Sequence, residues 1–405
     1  MTQLTLHPDV YQTLLATFHD ETRLDSLLSC LTSPPMFTTL RFDTSLVDGH
    51  TALETLSSCL AKQCKETHRE KYVIFQHPVL PDCLVIQNRG PHSLQQHQKE
   101  VIVDLASSLL FFPYLILHIS GPTCLSPTVN VYFIINNECL FYCPHGIGVR
   151  MFQPVYEAPS LAEVSLAWIS AQNLPSITCV HALDPQKGEL ILDMCAAPGG
   201  KTCHIAALIG NQGSVIALEK SKERARKMEN LKSACIEIYT FDSTKAVADD
   251  AVPSNGPPFP PGTFDRILVD APCSALGQRP SYVNKMTLNQ LKSFPVIQHK
   301  LLLTAVKLLK PGGVLVYSTC TITREENEDQ VARLLARCSC MDLVDIPMKL
   351  GGVGLSGCDL TEEQRLKVQR FDPTSTESAE VYNIDTIGFF IAKFVKKEKE
   401  LLQSS

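Results

Sequence analysis

From about residue 150 onward the sequence predicts an α/β fold, a parallel β-sheet with helices on both faces, preceded by a smaller α+β region. Three observations carry the prediction. Strand-like apolar runs alternate there with helical stretches. A glycine pair follows the first run in LDMCAAPGGKT, where it lets the backbone turn tightly and approach a ligand. Acidic residues end the next runs, at Glu219, Asp242 and Asp270, and ligands of such sheets bind beyond the carboxyl ends of the strands.

The elements follow in order. DVYQTLLATF and RLDSLLSCL place apolar residues at helical spacing. In SPPMFTTLRFDT the proline pair breaks the helix, and Phe, Thr and Leu favour a strand. TALETLSSCLAKQ returns to a helix, with Thr51 as N-cap and Glu54 three positions on. Residues 101–149 carry only two charged residues, Asp104 and Glu138, and NVYFIINNECLFYC there reads as a hairpin around Asn136-Asn137. ELILDM, SVIAL, IEIYTF, DRILVD, GGVLVYS and IGFFIAKFV then read as strands. GGKTCHIAALI, SKERARKMENLKSA, the stretch ending at Leu309 and REENEDQVARLLARC read as helices, and VPSNGPPFPPGTF as a loop.

The 405 residues suffice for two or three domains, and 44% hydrophobic with 19% charged residues is a globular composition. No apolar run reaches the roughly 18 residues of a membrane span. MTQLTLHPDVYQ lacks the layout of a signal peptide, so the chain reads as soluble and cytoplasmic. Sixteen cysteines in a chain of this kind predict free thiols rather than a disulfide framework. Cys139 and Cys143 stand alone as C-x-x-x-C, short of the four ligands of a structural zinc, and no metal is expected. The net charge of −6 does not announce a nucleic-acid binder. KSKERARKMENLK is locally basic, which a solvated helix face explains.

LDMCAAPGGKT is neither G-x-G-x-x-G nor a P-loop. Glu219, about twenty positions after the glycine turn, suits a ribose diol. Asp242 stands to meet an adenine edge or an amine, and Asp270 ends the fourth strand. Each is equally an ordinary helix N-cap residue. Three acidic strand ends together suit a nucleoside with a positive appendage, and S-adenosylmethionine is such a ligand. NAD suits them less, because its pyrophosphate prefers a bare helix N-terminus.

LDMCAAPGGKT, DAPCS and YSTCT stand in order, followed by QRFDP and GFFIAKF. Over about residues 150–395 this resembles the Sun-domain (RsmB-like) family of RNA cytosine-5 methyltransferases. SPPMFTTLRFDT and HGIGVRMFQPVYEAPS resemble a eukaryotic branch of that family that acts on tRNA. The resemblance implies a Rossmann-like class I methyltransferase domain whose seven-stranded sheet ends in an antiparallel strand. It implies S-adenosyl-L-methionine as cofactor and, as substrate, tRNA at its acceptor end, with messenger RNA a second class. It implies that Cys195, Ala196, Ala197, Pro198, Gly199, Gly200 and Lys201 hold the cofactor's amino-acid end. Glu219 takes the ribose, Asp242 the adenine side, and Asp270 lies beside the methyl and the target base. A monomer without metal is expected.

Three departures stand out. The second strand ends in Glu219 where the family usually has Asp. The family's DAPCSG is here DAPCSA, and Ala275 is costly if the position needs positive φ. The branch carries an RNA-binding PUA domain, and residues 107–145 are a short apolar segment unlike it. The expected organisation is an N-terminal α+β region at 1–106, this atypical segment at 107–145 and the methyltransferase domain at 146–398.

C5 of cytosine is a poor nucleophile, and a thiolate added to C6 activates it. The resemblance makes Cys320 that nucleophile. Cys273 assists release, Asp270 offsets charge on the ring, and Lys201 positions the base or lowers a thiol pKa. Read alone, each cysteine is an ordinary buried thiol. A Pro-Cys motif attacks in DNA cytosine methyltransferases, so Pro272-Cys273 is the competing nucleophile. Two other readings compete: a catalytically impaired RNA-binding isoform lacking the PUA domain, and a small-molecule methyltransferase.

Overall fold

The computed structural model describes residues 3–90, 131–135, 138–143, 157–161, 164, 166–231, 233–248, 256–376, 378 and 380–398. They fall into two compact units. One holds Met1–Thr55, Ile74–Ile86 and Ala167–Ser405; the other holds Leu56–Val73 and Gln87–Leu166. Most of the atypical 107–145 segment lies outside the described residues.

In the first unit, helices Pro8–Phe18 and Glu21–Cys30 form where apolar spacing predicts them. Asp20 caps the second, accepting the Arg23 N–H at 3.0 Å. Their inward leucines, Leu14, Leu24, Leu27 and Leu28, pack with Leu276, Leu291 and Ile322. These helices therefore back the loops that carry Cys273 and Cys320. Strand β1 (Phe37–Phe42) follows the proline pair. The next helix, Gly49–Glu66, starts two residues before the expected Thr51 cap. Asp48 caps it instead, accepting the Thr51 N–H at 3.0 Å and the Thr51 hydroxyl at 2.7 Å. Strands β2 (Ile74–Gln76), β3 (Cys83–Gln87) and, after the hairpin described below, β6 (Ile169–Ala171) complete a sheet in the order β2–β3–β1–β6.

In the second unit, β4 (Val131–Ile135) and β5 (Glu138–Cys143) pair antiparallel as the predicted hairpin. Arg89 stacks over the Tyr72 ring at 3.9 Å and donates to Glu157 at 2.8 Å.

The larger sheet of the first unit is built from β7 (Leu190–Asp193), β8 (Ser214–Glu219), β9 (Ile236–Thr240), β10 (Phe264–Asp270), β11 (Leu309–Thr319), β12 (Met341–Val344), β13 (Gln369–Phe371) and β14 (Phe389–Lys396). Its order is β12–β14–β11–β10–β7–β8–β9, with β13 also paired to β14. The five strands from β11 to β9 run parallel, and β14 is antiparallel to β11. Alternate residues face opposite sides. Leu192, Ile216, Ile267 and Leu315 pack under helix Leu288–Leu308, while Ile191, Val215, Leu268 and Val316 pack with Leu174–Leu183. A Thr287–Gln290 capping box starts the Leu288–Leu308 helix. The basic helix expected after Ser221 covers only Lys222–Arg226. Beyond it the chain turns so that Met228 and Leu231 pack against Ala196 and Ala197; tertiary packing there outweighs helical spacing.

Asp82, His181 and His204 form a buried cluster of metal-ligand types. Each Asp82 oxygen accepts from an imidazole Nε2, at 2.7 Å from His181 and 2.6 Å from His204. Gln172 faces His204 Nδ1 at 3.5 Å and accepts from Arg41 at 3.0 Å. The cluster thus closes as a hydrogen-bonded network tying β3 to helices Leu174–Leu183 and Gly200–Leu208. Burial pushes His204 down to about 4, against the pull of Asp82. A histidine depressed in the folded state binds fewer protons there than when unfolded. Stability is therefore fully present above its unfolded value near 6.5 and falls as pH drops toward 4, by about 3 kcal/mol. Asp193, pushed up to about 6, contributes with the opposite sign in the same window. The His204 contribution is therefore read as the wild-type minus His204→Gln difference in denaturant unfolding free energy, whose slope between pH 7 and 4 should match it. An unchanged slope in that variant would remove His204 as its cause.

Candidate active site

Chain order turns back between β7 and β10: β8 and β9 extend the sheet one way, β11 and β14 the other. The carboxyl ends of β8, β7, β10 and β11 lie side by side around that switch point, where such sheets bind ligands. They deliver Glu219, Asp193 with the Cys195–Lys201 turn, Asp270 with Cys273, and Cys320. The expected site residues thus converge on one edge of one sheet. Asp242 follows β9, the next strand beyond Glu219.

Cys273 Sγ and Cys320 Sγ are 3.3 Å apart. Their surroundings differ. Cys320 receives the Gln278 side chain and lies near the Lys201 ammonium, while Cys273 faces Glu326. Donation from Cys273, with help from Gln278 and Lys201, holds Cys320 below the ordinary thiol value despite burial. The same contact, then burial and the Glu326 charge, push Cys273 well above it. Cys195 is raised well above its ordinary value by burial and by Asp193. Negative charge therefore concentrates on Cys320.

Lys201 Nζ donates to Asp270 Oδ2 at 2.8 Å, and Ser318 Oγ donates to Asp270 Oδ1 at 2.8 Å. The Lys201 ammonium also lies over the Phe389 ring at 5.3 Å. Burial alone would depress Lys201, but Asp270 outweighs it and holds the ammonium above its usual value.

Lys201 sits in the first turn of helix Gly200–Leu208, whose N-cap, Gly199, has φ 103° and provides no side-chain cap. A Cβ on Gly199 would meet Leu231 at 2.6 Å, and one on Gly200 would meet nothing within 4 Å. The first glycine allows close packing; the second leaves open space beside the bare helix terminus. Glu219 is nearly buried. It accepts the Ser221 N–H at 2.8 Å, and Arg224 approaches its other oxygen at 3.4 Å. Arg224 also donates to the Ala197 carbonyl at 2.6 Å. Asp242 caps the short turn Ser243–Lys245, accepting the Thr244 N–H at 3.1 Å, and pairs with Lys220 at 2.9 Å. The capping role open in the sequence is thus present in the structure.

Asp193 belongs to this site and was passed over in the sequence, although it stands inside the quoted LDM. It is buried, accepts the Thr202 hydroxyl at 2.7 Å, and burial pushes it up to about 6. Ser318, Gln278 and Glu326 were also missed. Ser318 and Glu326 lie in stretches read only as strand and helix.

Ala275 takes φ 56°, the left-handed region that makes a non-glycine residue costly. Ala275→Gly should therefore stabilise the fold by about 1 kcal/mol after glycine's own entropy cost. Denaturant unfolding checks this, and a loss of stability would show that the neighbouring contacts remove the strain.

A family model described as 16S rRNA methyltransferase RsmB/F matches residues 180–395. The chain is 39% identical over 433 aligned positions to "tRNA (cytosine(72)-C(5))-methyltransferase NSUN6" of Mus musculus, covering 93% of this chain and 90% of that one. It is 31% identical to a "tRNA (cytosine(72)-C(5))-methyltransferase" of Pyrococcus horikoshii, covering 86% of this chain and 89% of that one. Among solved structures, NSun6 from Pyrococcus horikoshii with SFG, an analogue of S-adenosylmethionine, is similar at TM-score 0.72 and 27% identity. That match covers 98% of this chain and 99% of the other.

Proposed function

The chain belongs to the RsmB/F family of S-adenosylmethionine-dependent RNA cytosine-5 methyltransferases, and we propose that it methylates C5 of cytosine in tRNA through a covalent bond between Cys320 and C6. The observation that carries this is the pair of sulfurs 3.3 Å apart beside the Lys201–Asp270 ion pair. The relatives' substrate, cytosine 72 of tRNA, supports the acceptor end as target.

The donor set suits the cofactor. Its amino-acid end fits the open face of Gly200 and the bare helix terminus with Cys195, Ala196, Ala197, Pro198, Gly199 and Lys201. Glu219, whose present partner Arg224 is half-exposed, would take its ribose, and Asp242 the adenine side. When bound, S-adenosylmethionine supplies an electrophilic methyl group on a sulfonium.

Cys320 thiolate attacks C6, the S–C6 bond forms, and the C5=C6 electron pair moves toward C5 and N3. The Lys201 ammonium, acting through Asp270, offsets the charge that collects at N3. C5 would then take the methyl group as the sulfonium S–CH3 bond breaks and its electron pair stays on sulfur as a neutral thioether, and C5 keeps one proton. Cys320 is now a thioether, so the neighbouring thiolate that held Cys273 protonated is gone. Cys273 can lose its proton to solvent, the one proton released per turnover, and then take the C5 proton. The C5–H electrons restore C5=C6, the S–C6 bond breaks, and Cys320 leaves as thiolate.

The assay uses purified protein, tritiated cofactor and tRNA, with Cys320→Ala as control. No label above that control would remove the enzyme reading. The second reading is an RNA-binding isoform impaired by a shortened docking segment. The 433 aligned positions exceed the 405 residues of the chain, so this side of the alignment carries gaps. That reading predicts binding without label. Messenger RNA is tested in the same assay. We place the protein in the cytoplasm as a monomer; fractionation and light scattering test both.

A further inference from the structure

Two adjacent residues outside the proposed chemistry hold both thiols in place. Glu326 and Asn327 are fully buried at the start of helix Glu328–Arg337. Glu326 Oε2 accepts the Ser274 N–H at 2.9 Å and Gln298 Nε2 at 2.9 Å. Its Oε1 accepts the Ser274 hydroxyl at 2.5 Å and the Thr323 hydroxyl at 2.8 Å. Gln298 Nε2 also donates to the Pro272 carbonyl at 2.9 Å. Both chain neighbours of Cys273 are thereby tied to one carboxylate, directly or through one amide. Asn327 does the same on the other side. Its Oδ1 accepts the Thr319 hydroxyl at 2.5 Å, and its Nδ2 donates to the Thr321 carbonyl at 3.0 Å. Thr319 and Thr321 are the chain neighbours of Cys320. The Ser274 and Thr321 hydroxyls meet at 2.6 Å and join the two sets.

The frame is itself anchored. Tyr317 donates to the Glu326 carbonyl at 2.6 Å. Arg370 Nη1 donates to both Glu328 oxygens, at 2.9 and 3.0 Å, and Nη2 donates to the Ile322 carbonyl. Neither Glu326 nor Asn327 takes part in the bond-making steps above. A buried carboxylate satisfied by four close donors, with the Thr321 hydroxyl a fifth at 3.5 Å, is a strong constraint, because releasing any donor leaves a buried polar group unpaired.

We propose that Glu326 and Asn327 are positioning residues that divide the work: Glu326 sets Cys273 for release, and Asn327 sets Cys320 for attack. This rests on the two-thiol reading, so the first readout needs no methyl transfer. Diamide, a thiol oxidant, joins Cys273 and Cys320 as a disulfide only if the sulfurs stay in contact, and peptide mass spectrometry follows it. Wild-type protein should cross-link readily, and Glu326→Gln should do so about tenfold more slowly, because its amide places a donor against donors. Ser274→Ala removes one of the four bonds and should slow cross-linking less; it carries the test if Glu326→Gln does not fold. The second readout is the covalent RNA adduct on a denaturing gel. Glu326→Gln should accumulate adduct, and Asn327→Ala should form less. Wild-type cross-linking rates in both Glu326→Gln and Ser274→Ala would overturn the proposal. So would equal loss of attack and release in every variant in proportion to lost melting temperature. Slowed cross-linking with no adduct in any protein would instead retain the frame and sink the covalent mechanism.

Discussion

Cys320→Ala should lose methyl transfer by at least about a thousandfold, while Cys273→Ala should stop after one turnover with RNA bound covalently to the protein. The expectation comes from the asymmetry of the two thiols. Donation from Cys273, then Gln278 and the Lys201 charge, hold Cys320 below the ordinary thiol value despite burial. The same contact, then burial and the Glu326 charge, hold Cys273 well above it. Cys320 is therefore the more acidic of the two thiols, and removing a nucleophile typically costs several orders of magnitude. In the wild-type protein single-turnover methyl transfer should rise with pH through a midpoint below that of a free thiol, and in Cys273→Ala the midpoint of adduct formation should move up, because the largest donor to Cys320 is gone and burial remains. A denaturing gel with labelled tRNA separates the outcomes. If Cys320→Ala forms the adduct and Cys273→Ala does not, the roles reverse and the Pro-Cys motif is the attacking one.

The sheet was legible because each strand is a short apolar run ended by a residue that does not belong in a core. Asp193, Glu219 and Asp270 mark the edge where β7, β8 and β10 stop. Ala275 was flagged from one missing glycine, and its backbone does lie at φ 56°. What stayed hidden was long-range. Glu326 bonds to Ser274, 52 positions away, and His204 to Asp82, 122 away. No periodicity reports such pairs. In REENEDQVARLL a buried Glu326 looks like any other acid at a helix start. The Lys222–Arg226 helix was overestimated for a related reason. Its continuation is helical by spacing, but Met228 and Leu231 are drawn under the Cys195–Lys201 turn by Ala196, Ala197 and Gly199.

Lys201→Met should lower the rate of adduct formation about 10²–10³-fold and destabilise the protein by roughly 2 kcal/mol. Both effects come from one ammonium. Its partner, Asp270, keeps only the Ser318 hydroxyl at 2.8 Å once the 2.8 Å ion pair is gone. A fully buried carboxylate stripped of its partner costs about 3–5 kcal/mol. Asp270 is 31% exposed, so water takes up part of that loss and the smaller figure applies. The expected kinetic effect is larger because in the proposed mechanism the ammonium acts twice before the methyl group moves. It favours the Cys320 thiolate, and it offsets the charge that reaches N3 when C6 is attacked. Met keeps the apolar stem against Phe389, so packing changes little. Arginine is not a neutral control, because its planar fork does not fit a site built around a point charge. Single-turnover adduct formation, beside a thermal melt, resolves the two terms. A variant that loses stability but forms adduct at the wild-type rate would reduce Lys201 to a structural partner of Asp270. One that keeps its stability and loses the rate would show that the cleft end of Asp270 is already solvated, and that the ammonium is held there for the chemistry alone.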